Sequence, residues 1–553
     1  MQDKYNNTKV TVGQYLFNQL KKLGIKDIFG VPGDYAFPID DTVVNDPELR
    51  WIGCCNELNA TYAADGYARI HGYSALCTTY GVGELSTFCG LGGAFAENVP
   101  IVHIVGMPTS KLFNSNKVVH HMLGYPDYHV YEKMISPAVC ATALLTPKNV
   151  ISEIHRVLTA MVQTKKPVYF CVPFDYCNEQ VEEVVEQIPE VVKAKSDEVA
   201  LNDVLHEIKK KIHDSNQTVF LVGNLIDRFQ LSSKLSSFVE KMKIPFVSMM
   251  SGKGSIDESL DEYVGTYNGK ASDPAVIKFV ESSDCYVLFG TEISDFNTSS
   301  FSCNIPEEKT IFISLHDVRI GKVKFENVEF EDVVNGIISL TKENIGSKKL
   351  PQHITNKKDD QKQESDSEAP LSMTYLHSKI VNFLQPNDIV LLETGTSMAM
   401  NLSRMPKGCT VLNQVLWGAI GYATPAAFGA ALAAPNRRVV LVTGEGSLQM
   451  TAQELCQFAR FNLKPVLIII NNDGYLIERV LCKIPEQSYN DIPQWRYTEL
   501  MHAFGAPNDF LSVQAKTCGE LDSIFEKVNK EKAGAFIEVF TPKLDTPQYF
   551  EKF

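Results

Sequence analysis

Strand-sized apolar runs recur along the whole chain, each fringed by glycine or polar residues and separated from the next by a stretch of helical spacing. The first set falls at Asp27–Val31, Trp51–Cys54, Ser74–Thr78, Ile101–Val105 and Val168–Val172. A second lies at Val219–Val222, Pro245–Met249, Tyr286–Phe289 and Thr310–Ser314. A third lies at Ile389–Leu392, Val439–Val442, Val466–Ile470 and Phe536–Phe540. Continuous apolar runs, as opposed to alternating ones, mark strands buried on both faces. The intervening segments read as helices: Thr11 and Gln14 form a capping box, Val12, Tyr15, Leu16, Leu20 and Leu23 share one face, and Gly24 ends it. The pattern predicts an α/β protein with three doubly wound parallel-sheet domains.

Two composition shifts mark boundaries. Lys357 to Ser367 has no apolar residue to bury and reads as a flexible linker, and a weaker break is the Glu- and Val-rich stretch from Glu179 to Ser196. The expected domains are residues 1–181, 196–345 and 371–553, with 346–370 as the linker.

Composition narrows the function classes. Hydrophobic content of 44% and charged content of 21% are those of a water-soluble globular chain. No apolar run reaches membrane-spanning length, so no membrane partner is expected. A net charge of −14 argues against nucleic acid. Thirteen cysteines without a C-x-x-C pair, and a polar start at Met1–Asn7, give the expectation of a cytoplasmic protein with reduced thiols. Gly81-Val82-Gly83-Glu84-Leu85-Ser86 ends in serine where the dinucleotide fingerprint needs glycine or alanine. The chain has no phosphate-binding G-x-x-x-x-G-K-[ST] loop and no H-E-x-x-H zinc motif.

The strongest chemical signal is Gly444-Glu445-Gly446-Ser447 after one apolar run and Asn471-Asn472-Asp473-Gly474-Tyr475 after the next. Two strand ends would bring a carboxylate and an amide oxygen to one sheet edge. Hard oxygen ligands of this kind suit Mg²⁺ completed by phosphate oxygens. A helix expected to begin near Ser447 would offer free N–H groups to the same phosphates. Read alone, each motif is an ordinary turn.

Other candidates are individually ambiguous. Asp34 follows the first strand, where open sheets bind ligands, yet a turn aspartate or helix cap fits as well. Glu57 sits among small and apolar neighbours, so a part-buried carboxyl with raised pKa competes with a simple first-turn glutamate. His120 and His121, taken as extended, would point to opposite sides. Glu478 beside Arg479 could be a solvated local pair.

Together these segments resemble the pyruvate decarboxylase family of thiamine-diphosphate enzymes. The resemblance rests on Val31-Pro32-Gly33-Asp34, Asn56-Glu57-Leu58-Asn59-Ala60, Tyr80 to Ser86, His120-His121 and Gly252-Lys253-Gly254-Ser255. It continues through Ser294 to Thr298, Glu393-Thr394-Gly395-Thr396-Ser397, Gln414 to Gly418 and the Glu445/Asn472 pair. It runs in the family order from about Thr11 to Phe540.

The resemblance implies non-oxidative decarboxylation of a 2-oxo acid to an aldehyde and CO₂, with pyruvate first. It implies thiamine diphosphate and Mg²⁺ as cofactors. Glu445, Asn472 and the Gly474 carbonyl would hold the metal. Thr394, Thr396, Ile420, Gly446, Ser447, Asn472 and Ile477 would hold the cofactor, and Glu57 would bond its pyrimidine. Asp34 with His121, supported by His120, would return a proton after CO₂ leaves, and Glu478 would act against the substrate carboxylate. Met398, Ala399, Ile477 and Leu481 would shape the substrate pocket. In this family Glu57 serves cofactor held by a neighbouring subunit, so a homo-oligomer is expected, at least a dimer and commonly a tetramer.

Three departures stand out. Glu445 replaces the usual aspartate, Gly124-Tyr125-Pro126-Asp127-Tyr128 replaces a glycine-richer segment, and Met398-Ala399 stands where relatives often carry an aromatic residue. Leu221 to Leu225 lacks the cysteine through which some relatives are regulated, so no such switch is expected. Competing readings are a decarboxylase of branched-chain, indolepyruvate or phenylpyruvate substrates, and a regulatory paralogue that binds the cofactor without turnover. A carboligase of the acetolactate synthase type is disfavoured by the His-His pair and Glu478.

Overall fold

The computed structural model describes residues 10–181, 191–346, 366–547 and 549–550. The core of the expected linker, and part of the Glu- and Val-rich stretch, lie outside them. The chain divides into two compact units, Met1–Lys193 with Phe428–Ala433, and Ala194–Ala427 with Ala434–Phe553.

The first unit is built on a six-stranded sheet. Its order is Arg50–Gly53, Asp27–Gly30, Ser74–Thr79, Ile101–Met107, Val168–Pro173, Ala141–Leu144, and every pairing is parallel. The four inner strands, from Asp27, Ser74, Ile101 and Val168, are buried at every position, which is why they appear as largely apolar runs. Val12–Lys22 covers one face with the expected stripe, and its Thr11–Gln14 capping box is formed.

The second unit holds two sheets. One has seven strands, ordered Val323–Glu326, Asp317–Ile320, Thr310–Ile313, Cys285–Phe289, Thr218–Val222, Phe246–Ser248, Tyr263–Thr266. Its first two strands form an antiparallel hairpin, so this sheet is not wholly parallel as expected. The remaining five follow the order of dinucleotide-binding folds, whose ligand crevice lies where the order reverses. At that point the pairing of the Thr218 and Cys285 strands runs on into Gly223 and Gly290. A Cβ on Gly223 would stand 2.3 Å from the Gly290 carbonyl, because the two strand ends meet backbone to backbone.

The other sheet is ordered Thr410–Leu412, Ile389–Leu392, Val439–Gly444, Val466–Asn471, Ala535–Phe540, Leu511–Ala515, all parallel. This is the strand order of the first unit repeated. In both, the order reverses between the first and third strands in sequence, and the loops leaving those strands carry Asp34 and Gly81 in one, Thr394 and Glu445 in the other. Among the described residues no helix is long and apolar enough to cross a membrane.

Candidate functional site

In the first unit the strand Asp27–Gly30 leads into Gly33 and a short 3₁₀ turn at Asp34–Ala36. Asp34 Oδ2 lies 2.7 Å from His120 Nε2, and the Tyr35 hydroxyl lies 3.1 Å from His120 Nδ1. A carboxylate only accepts, so in the neutral ring Nε2 carries the proton and Nδ1 receives the tyrosine hydroxyl. Tyr35 also stacks on His120 with ring centroids 4.6 Å apart and planes 13° apart. Ligand atoms of Asp34, His120 and His121 all fall within 4.8 Å of one another.

Two expectations change here. The histidine segment is not extended: His121 has φ 68°, the left-handed region, so both rings turn to the same side and meet edge to face at 4.6 Å. The direct partner of Asp34 is therefore His120, where pairing with His121 was expected. The unusual backbone is held from two directions. The Tyr131 hydroxyl donates to the His121 carbonyl at 2.6 Å, and Gly81, at φ 67°, presses against it so closely that a Cβ would stand 2.2 Å from that oxygen. Glu84 fixes Gly81 by accepting its N–H at 2.6 Å, and Tyr169 donates to the other carboxylate oxygen. Burial pushes the Glu84 carboxyl up to about 7. His121 Nδ1 is buried without a partner.

Glu57 opens the helix Glu57–His71, which Asn56 caps through a 2.8 Å bond from Asn59 N–H. Its carboxyl is half-buried, and Oε1 faces Gly83, where an added Cβ would stand 3.2 Å away. Burial raises its pKa above the ordinary carboxylate range, the direction expected from its neighbours.

In the second unit a cavity of about 290 Å³ opens at the carboxyl edge of the third sheet. Thr394, Thr396, Ile420, Glu445, Gly446, Ser447, Asn472, Gly474, Ile477 and Glu478 all line it. Glu445 and Asn472 are almost fully buried. Glu445 Oε1 accepts the N–H groups of Asn472 at 3.1 Å and Gly474 at 2.8 Å, so the carboxylate and the loop hold each other. Burial nevertheless pushes the Glu445 carboxyl up to about 7. Asn472 Oδ1 and Thr394 Oγ1 are buried with no hydrogen-bond partner. A buried acceptor left unmatched is costly, and two of them beside a carboxylate form a donor set suited to a hard cation and a phosphate. The helix begins at Glu445, two residues before the expected start, which brings Glu445 into its first turn.

The loop is fixed by a residue the sequence reading left as a local partner of Glu478. Arg479 is buried and turned away from it. Its guanidinium donates to the carbonyls of Asn472, Asp473 and Asn490 and pairs with Asp491 at 2.8 Å. Glu478, on the short helix Leu476–Leu481, stays exposed at the cavity wall. Glu393 stands in one of the resemblance motifs without an expected role. Fully buried, with its pKa pushed up to about 7 by desolvation, it accepts from the N–H groups of Thr394 and Ala423 and ties the loop of one strand to the next helix. Its signal was a carboxylate inside an apolar strand end.

Of the expected pocket residues, Ile477 lines the cavity. Met398 and Ala399 lie behind its wall, buried in a cluster with Met250, Val415, Tyr549 and Phe550. Leu481 is not brought to the cavity and is 58% exposed.

Three segments match sequence profiles of thiamine pyrophosphate enzymes. Residues 10–128 match the N-terminal TPP binding domain, 205–335 the central domain, and 394–539 the C-terminal TPP binding domain. The chain is 37% identical to an alpha-keto-acid decarboxylase of Mycobacterium leprae, over 97% of this chain and 94% of that protein. It is 36% identical to a pyruvate decarboxylase of Kluyveromyces marxianus, over 99% of this chain and 98% of that one.

Proposed function

Because this chain belongs to the thiamine pyrophosphate enzyme family, we propose that it decarboxylates a short 2-oxo acid, pyruvate first, to the aldehyde and CO₂. The observation that carries this reading is the pair of orphaned buried oxygens on Asn472 and Thr394 beside the Glu445 carboxyl, within the segment that matches the C-terminal TPP binding domain.

Mg²⁺ would be held by Glu445, Asn472 and the Gly474 carbonyl, and thiamine diphosphate by Thr394, Thr396, Ile420, Gly446, Ser447, Asn472 and Ile477. When bound, the cofactor supplies the electron sink for carbon–carbon cleavage. The protein supplies proton control. Glu57, whose pKa burial raises, would bond the cofactor's pyrimidine. His120 passes its Nε2 proton to Asp34 Oδ2, 2.7 Å away, and that carboxyl, with His121, would return a proton after CO₂ leaves. Glu478, exposed at the cavity wall, sets a carboxylate against the carboxylate of the substrate. The working unit is a homo-oligomer of at least two chains, a tetramer in this proposal, in the cytoplasm.

A broader substrate range is the second reading. Identity to the alpha-keto-acid decarboxylase, 37%, and to the pyruvate decarboxylase, 36%, differs by one percentage point, and small Ala399 stands behind the cavity. Aldehyde release from pyruvate, branched-chain and aromatic 2-oxo acids, read through alcohol dehydrogenase with and without Mg²⁺ and thiamine diphosphate, separates the two. Tight cofactor binding without aldehyde from any acid would replace both readings by the regulatory paralogue. Unchanged turnover in Glu57→Gln would remove its assigned role.

A further inference from the structure

The seven-stranded sheet reaches into the third sheet's cofactor loop through one buried ion pair. Lys253 has no exposed side-chain surface, and its ammonium lies 2.7 Å from Glu258 Oε2. Its three N–H groups are shared between that oxygen, the Ser403 carbonyl at 2.6 Å, and Tyr263 OH and Thr266 Oγ1, each at 3.1 Å. Glu258 Oε2 accepts the Met405 N–H at 3.0 Å, and its Oε1 accepts Gly254 N–H and Ser248 Oγ. Thr266 Oγ1 donates to the Asn401 carbonyl at 2.6 Å. Three backbone groups of residues 401–405 are thus bonded from the other sheet's side chains. Asn401 passes the constraint back along the chain, because its Nδ2 donates to the Met398 carbonyl at 2.9 Å. These residues belong to or directly follow the 3₁₀ segment Thr396–Leu402, whose first residues line the cavity.

A buried ion pair is a poor source of net stability, because desolvating two charges offsets most of their attraction. A pair whose remaining bonding capacity is spent on a distant loop is better explained as fixing geometry. We infer that Lys253, Glu258 and Thr266 are positioning residues that set the register of the Thr396–Leu402 segment. Through it they set cofactor affinity at Thr394–Ser397 and the shape of the Met398–Ala399 wall. The inference rests on the cofactor cavity assigned above.

Thr266→Val keeps side-chain shape and removes only the hydroxyl, leaving Lys253 three of its four partners. The dissociation constant of thiamine diphosphate with Mg²⁺, measured by calorimetry on the full chain, should rise about fivefold, the worth of the single bond to the Asn401 carbonyl, which is the one that reaches the cavity segment. Thr266→Ser should restore it. The paired Lys253→Met and Glu258→Gln variant should raise it at least tenfold, and should change the ratio of kcat/KM between an aromatic 2-oxo acid and pyruvate. A drop in melting temperature with cofactor affinity held at the parent value in Thr266→Val would overturn the inference, because it would show a structural role alone. If the double variant fails to fold, the Thr266 pair decides. Parent protein that binds the cofactor but releases no aldehyde would sink the proposed activity and leave the affinity measurement standing.

Discussion

The first and third sheets have the same strand order and place their chemistry at the same reversal point, yet they use it in opposite ways. In the first, Asp34 and His120 keep about half of their side-chain surface in solvent, with 48% and 56% exposed. In the third, Glu445 is 1% and Asn472 4% exposed. Solvated groups keep their freedom to exchange protons, whereas buried acceptors carry a desolvation cost that an arriving cation or phosphate can offset. In the proposed function, one architecture thus makes a proton-handling site where the loop is exposed and a ligand-holding site where it is buried. The supports differ to match. A strained backbone at His121 is braced by Tyr131 and Gly81, while the Asn472–Gly474 loop is braced by Arg479.

The comparison can be broken at four points. Asp34→Asn removes the carboxylate that orients His120, and kcat should fall about 10²–10⁴-fold with cofactor affinity unchanged. Equal loss in both quantities would show that the two sites do not divide labour. Glu445→Ala should act the other way. Titration calorimetry should give a dissociation constant for Mg²⁺ and thiamine diphosphate roughly 100-fold weaker, and a variant that binds as tightly as the parent would rule out Glu445 as a ligand.

The third point is pH. Burial holds the Glu445 carboxyl near 7, above its ordinary value of 4.5. A cation needs the ionised form, so cofactor binding should weaken up to about tenfold for each unit below pH 7 and level off above it. In the empty protein the sign reverses. The folded state keeps this proton up to about pH 7 and the unfolded state only to about 4.5, so the stability it contributes is present below 4.5 and lost as pH climbs to 7. Melting curves of the empty protein across that window, paired with calorimetry, test both signs. The smallest effect belongs to Tyr131→Phe. Losing the bond to the His121 carbonyl should lower kcat about fivefold and leave KM near the parent value. A shift in KM alone would place Tyr131 outside the proton-handling site.

The strands absent from the sequence pattern share one cause. The strands Ala141–Leu144, Tyr263–Thr266, Thr410–Leu412 and Leu511–Ala515 were not expected, and each is an edge strand. The hairpin Asp317–Ile320 and Val323–Glu326, whose second strand is the sheet edge, lacks an apolar run because its surface is partly exposed and carries Arg319 and Lys324. An edge strand in these sheets needs no unbroken apolar run, so its pattern fades into its surroundings. The histidines were misread because nothing in Val119-His120-His121-Met122 signals a left-handed backbone, which here depends on Gly81 and Tyr131, remote in sequence. Arg479 was misread because helical adjacency suggested Glu478 as its partner, while four acceptors in the folded loop outcompete it.

The order of residues by itself determined the inner strands, the α/β class and the paired Glu445 and Asn472 motifs, because burial on both faces and tight turns write themselves into local pattern. It carried enough motif to identify the family. Only the tertiary structure decided which side chains meet: Asp34 with His120, Lys253 with the Ser403 carbonyl, Arg479 with the loop it braces. Those partners come from separate strands and loops, and hydrogen-bond geometry between them exists only once the sheets have closed.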